Sequence, residues 1–151
     1  MKPAAQVDRR SPDSRGVVII DDDKPCTELL TELLAQNLCC PIHAFTSSLE
    51  ALAALPAIDA ALVVTDYYLP QLNGIEFILE ANKLKPELAY IIMTGHPSRL
   101  TDESLAKLPN LKSVLSKPFN WRRLNDEIVM YWPPGTRAAL REPAAGQFLF
   151  R

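Results

Sequence analysis

Four apolar runs in this 151-residue chain each end on a group that carries a charge or a hydroxyl. Val17-Val18-Ile19-Ile20 leads into Asp21-Asp22, and Ala61-Leu62-Val63-Val64-Thr65 into Asp66. Ile91-Ile92-Met93 leads into Thr94, and Leu115-Ser116 into Lys117-Pro118. Short runs rich in β-branched residues, with no polar alternation, mark strands covered on both faces, and such strands belong to parallel sheets. In an open parallel sheet, ligands bind outside the carboxyl ends of the strands. The pattern therefore predicts a buried sheet with an acid pair, a lone aspartate, a hydroxyl and a lysine along one edge.

The intervening segments have helical character. Pro25 suits a first helical turn, where its missing N–H costs nothing. Leu29, Leu30, Leu33, Leu34 and Leu38 follow it at helical spacing. Ser47-Ser48-Leu49-Glu50 has the spacing of a capping box ahead of a helix over 49–55. Ile75, Ile78 and Leu79 mark the inner face of a further helix, with Leu84 as its extension. A brief helix is expected over 101–108, and a last one over 121–131 with Trp121, Leu124 and Ile128 inward. Strands are expected at 17–20, 42–45, 60–65, 90–94 and 114–116. Strand and helix thus alternate throughout, as in one doubly wound α/β domain with a five-stranded parallel sheet and five helices. Residues 1–16 are polar and without periodicity, which predicts a disordered N-terminal arm. Pro133-Pro134-Gly135 ends the last helix, and residues 132–151 are expected to be a short C-terminal tail with no output domain.

Composition narrows the function classes. At 48% hydrophobic and 23% charged, the chain has material for one ordinary core. A formal charge of −2 gives no electrostatic reason to expect nucleic acid or an anionic membrane as partner. No apolar run approaches the length of a membrane span and no secretory signal opens the chain, so a cytoplasmic location is expected. Cys26, Cys39 and Cys40 show neither a disulfide framework nor a metal spacing, and small buried or half-buried thiols are expected. His43 has no second histidine at a ligand spacing.

Asp21, Asp22 and Asp66 at neighbouring strand ends would crowd up to three negative charges. Such repulsion either raises a pKa or binds a cation. A hard divalent ion such as Mg²⁺ takes oxygen ligands and suits an open carboxylate site. With a lysine and a hydroxyl beside them, the carboxylates are equipped to receive a phosphoryl group, one of them acting as nucleophile.

Asp21-Asp22-Asp23 after its strand, Asp66-Tyr67-Tyr68-Leu69-Pro70 with Gly74, Thr94-Gly95, and Lys117-Pro118-Phe119 together resemble the receiver domain of bacterial two-component response regulators, of the stand-alone, single-domain type. The resemblance spans 17–131 and implies a flavodoxin-like fold. It implies that Asp66 is the phosphoacceptor, taking its phosphoryl group from a sensor histidine kinase or histidine phosphotransfer protein. Asp21, Asp22, Asp66 and the main-chain carbonyl of Tyr68 would hold Mg²⁺. Thr94 and Lys117 would bind the phosphoryl group and carry the switch, with Pro118, cis in the family, aiming the lysine. The family's only chemistry is its own phosphorylation and dephosphorylation, so no further enzyme activity is expected. Output is expected through protein contact with a downstream target at the face over 100–131, a face that could also serve a homodimer; nucleic acid and membrane are not expected as partners.

Three positions depart from the family pattern. Val114 stands where the family places an aromatic switch residue, so the standard coupled swing of threonine and ring is not available. Tyr68, two after Asp66, and His96, two after Thr94, are bulky beside the phosphoryl site and are expected to modulate phosphate lifetime. Val114 keeps open a phosphorylation-independent pseudo-receiver that acts as an interaction module. An Asp-nucleophile phosphatase is the enzyme alternative. Such enzymes need a second carboxylate two residues after the nucleophile, and here that residue is Tyr68.

Overall fold

A computed structural model of the chain describes residues 15–133. Most of the expected N-terminal arm (1–14) and of the tail (134–151) lies outside the described residues. The strands are β1 (Gly16–Ile20), β2 (Ile42–Phe45), β3 (Ala60–Asp66), β4 (Ala89–Thr94) and β5 (Leu111–Ser116). The helices are α1 (Lys24–Asn37), α2 (Ser48–Ala54), α3 (Gly74–Leu84), α4 (Asp102–Ala106) and α5 (Trp121–Tyr131). The strands form one sheet in the order β2-β1-β3-β4-β5, every pair parallel. This is the doubly wound flavodoxin-like arrangement, with its topological switch point between β1 and β3.

Alternate residues of each strand feed two cores. Val17, Ile19, Leu62, Val64, Ile91 and Met93 pack with Leu30 and Leu34 of α1 and Leu124 and Ile128 of α5. Val18, Ile20, Val63, Tyr90 and Ile92 face the other way, onto Ala51 of α2 and Phe77, Ile78 and Ala81 of α3. A sheet buried on both sides needs apolar side chains on both, which is why the central strands carry no polar alternation.

Local chemistry sets the helix starts at the carboxyl edge. The Asp23 carboxylate accepts the Cys26 N–H, capping α1, and Pro25 fills the first turn. Ser47 caps α2 by accepting from the Glu50 N–H. A full capping box opens α3: Asn73 Oδ1 accepts the Glu76 N–H while Glu76 Oε1 accepts the Asn73 N–H, both at 2.9 Å.

The structure corrects several details. Leu79 and Leu84 are exposed, and the inner face of α3 is instead Phe77, Ile78 and Ala81. Leu29 is exposed on α1. β5 begins at Leu111, because Lys112 and Ser113 belong to a strand at the sheet's edge that is only partly covered. Trp132, beyond the expected domain end, joins the core. Cys26 and Cys39 are exposed rather than half-buried, while Cys40 is buried. Among the described residues, no helix is long and apolar enough to cross a membrane.

Candidate functional site

Backbone hydrogen bonds carry the ladder one step past the strand ends and so fix the loops that follow. The Asp21 N–H donates to the Phe45 carbonyl (3.1 Å), the Tyr67 N–H to Met93 (2.8 Å) and the Lys117 N–H to Thr94 (2.8 Å). Asp21, Asp66, Thr94 and Lys117 therefore stand side by side at the edge that the sequence pattern predicts. One oxygen from each of the Asp21, Asp22 and Asp66 carboxylates lies within 4.8 Å of the others.

Lys117 ties this edge together. Its Nζ donates to Asp21 Oδ2 at 2.9 Å and to Asp66 Oδ2 at 3.1 Å. The peptide bond that follows, Lys117–Pro118, is cis. The other Asp21 oxygen accepts the Asp23 N–H at 3.0 Å, and the buried Thr27 hydroxyl donates to the Asp23 carbonyl at 2.8 Å. Asp22 is exposed, whereas Asp21 and Asp66 are buried. Thr94 is fully buried, and its Oγ1 accepts the His96 N–H at 3.0 Å.

The electrostatics follow from burial and charge crowding. Burial raises the Asp66 carboxyl above the ordinary carboxylate range, and the Asp21 charge pushes the same way. The Lys117 ammonium and the nearby Tyr68 N–H offset only part of that rise. For Lys117, burial favours the neutral amine, but hydrogen bonds and charge from Asp21 and Asp66 outweigh it and leave the ammonium more persistent than usual. One ammonium among three carboxylates leaves the cluster short of positive charge. Three hard oxygen donors so disposed fit a Mg²⁺ ion better than a soft metal.

Tyr68 and His96 flank the site from adjoining loops. The Tyr68 ring meets His96 edge-on at 5.8 Å between centroids and Tyr67 at 4.7 Å. Val114 is half-buried and packs against the core on the α3 side of the sheet. A cleft of about 680 Å³ opens from Asp21 and Lys117 between α1 and the start of α5, lined by Cys26, Leu29, Leu33, Phe119 and Trp121.

Two contacts at the site were not anticipated from sequence. Gly74 packs so tightly against the acceptor loop that a Cβ there would stand 2.8 Å from the Asp66 carbonyl oxygen. The capping-box spacing Asn73-x-x-Glu76 would have located this helix start. Arg99, which reaches Tyr68 across the mouth of the site, carries no local sequence signal.

The chain matches the model of the response regulator receiver domain over residues 17–129. It is 34% identical over 110 residues to the transcriptional regulatory protein FixJ of Azorhizobium caulinodans, covering 72% of this chain and 51% of that protein. The chain thus spans about half the length of that relative. To the response regulator receiver protein CpdR of Brucella abortus it is 30% identical over 115 residues, covering 76% of this chain and 93% of that protein. Among solved structures, a response regulator receiver domain protein from Clostridium thermocellum superposes with a TM-score of 0.64 at 26% identity, over 78% of this chain and 93% of that one. A match that runs from the apolar run of β1 into the last turn of α5 takes in every strand end that contributes to the acidic edge, and the chain therefore belongs to the receiver domains of two-component response regulators.

Proposed function

We propose that Asp66 is the phosphoacceptor of this receiver domain. The observation that carries this is the Lys117 ammonium, 2.9 Å from Asp21 and 3.1 Å from Asp66, on a cluster of three carboxylates. Membership of the family implies a histidine kinase or phosphotransfer protein as donor. An Asp66 oxygen attacks the phosphorus of the donor's phosphohistidine; the P–O bond forms as the P–N bond breaks, and the imidazole leaves with its electron pair. Lys117 then offsets charge on the phosphoryl oxygens. Because Thr94 Oγ1 accepts from the His96 N–H, its own hydroxyl hydrogen is available to donate to one of those oxygens.

Asp21, Asp22 and Asp66, with the Tyr68 carbonyl, would hold Mg²⁺, which would neutralise carboxylate and phosphoryl charge when bound. The apolar cleft beside Asp21 and Lys117 suits the approach of a protein donor, since it continues the site onto exposed side chains of α1 and the start of α5. Output proceeds through protein contact on the α4–β5–α5 face (100–131), and beyond its own phosphorylation and dephosphorylation the domain is no enzyme.

Val114 favours a second reading, an interaction module that works without phosphorylation. One experiment separates the two. Wild type should take up phosphate from acetyl phosphate in a Mg²⁺-dependent manner, and Asp66→Asn should take up none. Undiminished labelling of Asp66→Asn, or of wild type in excess chelator, would rule out this assignment. No labelling of wild type would favour the module.

A further inference from the structure

Contacts at the mouth of the site form a circuit between two loops. Two residues after Asp66, the Tyr68 side chain extends from the β3–α3 loop toward the β4–α4 loop. There its hydroxyl accepts from Arg99 Nη1 at 3.4 Å. The Arg99 N–H donates to the His96 carbonyl at 3.0 Å, closing the 3₁₀ turn Pro97–Arg99. The His96 N–H in turn donates to Thr94 Oγ1. The loops that follow Asp66 and Thr94 are thus joined to each other outside the sheet. The link that spans the two loops is a ring with 41% of the residue's surface exposed. A ring so exposed has little burial to hold it, so its direction depends on its edge contacts with Tyr67 and His96 and on the Arg99 hydrogen bond.

We propose that Arg99 is a positioning residue that holds Tyr68 across the in-line approach to Asp66 and thereby slows both phosphate loss and uptake from small donors. The inference rests on Asp66 being the phosphoacceptor. In hydrolysis, a water oxygen bonds to phosphorus as the bond to the Asp66 oxygen breaks; carboxylate and inorganic phosphate are released, and the water proton passes to phosphate or solvent. In uptake from acetyl phosphate, the Asp66 oxygen bonds to phosphorus as acetate leaves. Both steps need the position across phosphorus from the Asp66 oxygen, taken by the attacking water in one and by the departing acetate in the other, so one obstruction acts on both. Attraction of anionic donors by the guanidinium would act differently: it would speed uptake and would not depend on the tyrosine hydroxyl.

The test measures acetyl phosphate uptake and subsequent decay, with Mg²⁺, in the full chain. The variants are Arg99→Ala, Arg99→Gln, Tyr68→Phe and the Tyr68→Phe/Arg99→Ala double variant. Arg99→Ala and Tyr68→Phe should each raise both rates about two- to threefold, as suits the loss of one long, exposed hydrogen bond. The double variant should match the singles, because each removes the same link. Arg99→Gln, which keeps a donor without the charge, should restore part of the slow rate. Rates equal to wild type, slower uptake in Arg99→Ala alone, or multiplying effects in the double variant would each overturn the proposal. Failure of the Asp66 assignment looks different: wild type itself would take up no phosphate.

Discussion

Tyr90 shows how a single group in the core sets a pH dependence. It is among the largest fully buried side chains, and its hydroxyl has no hydrogen-bond partner among the described residues. Burial, with the nearby Glu87 charge, pushes the phenol well above its ordinary value of 10.0. The folded-state pKa is raised, so its contribution is intact below the unfolded value and is lost as pH climbs. Above pH ~10 the unfolded chain ionises this group while the fold does not, which costs about 1.4 kcal/mol per pH unit. Tyr90→Phe removes both the unpaired hydroxyl and the titration. It should stabilise the domain by roughly 0.5–1 kcal/mol at neutral pH, with a gain that widens above pH 10. Urea unfolding across that range checks it: a less stable phenylalanine variant would mean that the hydroxyl has a partner. Nothing local in the sequence marks this tyrosine as unpaired, since a hydrogen bond depends on what the fold brings near.

The elements legible in the sequence were those whose burial is symmetric. β1, β3 and β4, covered on both faces, are unbroken apolar runs, and their carboxyl ends located Asp21, Asp66 and Thr94. β5, at the sheet's edge, admits Lys112 and exposes part of its length, so an apolar-run criterion found only its last half. On α3, Leu79 lies next to Ile78 in sequence, and apolarity alone could not show that the buried stripe runs through Phe77, Ile78 and Ala81. The Arg99–Tyr68 contact joins residues 31 apart on two loops, where no periodicity operates. The start of α3 carries a prediction of its own. The Gly74 N–H donates to the Tyr67 carbonyl at 2.8 Å, and a Cβ added at this residue would press on the Asp66 and Tyr67 backbone. In Gly74→Ala the new methyl would meet main-chain atoms, which cannot rotate away as a side chain does. The variant should lose about 1–3 kcal/mol of stability, as overpacking does, and should take up phosphate more slowly because the acceptor loop must shift. Unchanged stability together with unchanged phosphorylation would show that α3 withdraws without strain.

The extent of the folding unit is set by where the core closes rather than by where the last helix ends. α5 ends at Tyr131, but Trp132 is 6% exposed and belongs to the cluster built on α1, α5 and one face of the sheet. The Arg15 guanidinium lies 5.8 Å from its ring centroid, so the residue also engages the segment leading into β1. Pro133-Pro134-Gly135 marked the helix end in the sequence, yet the same punctuation gives no sign that the residue just before it is buried. Removing the indole should leave a large cavity. A chain shortened after Tyr131 is therefore expected to lose about 3–5 kcal/mol, the scale of a buried tryptophan truncated to alanine. A chain shortened after Pro133 keeps the indole and should stay within about 1 kcal/mol of full length, the size of change usual away from a core. Urea midpoints of the two shortened chains and of Trp132→Ala separate the cases. Trp132→Ala should fall with the shorter chain. If the chain ending at Pro133 also loses several kcal/mol, residues beyond it complete the core, and the folding unit does not close at Trp132.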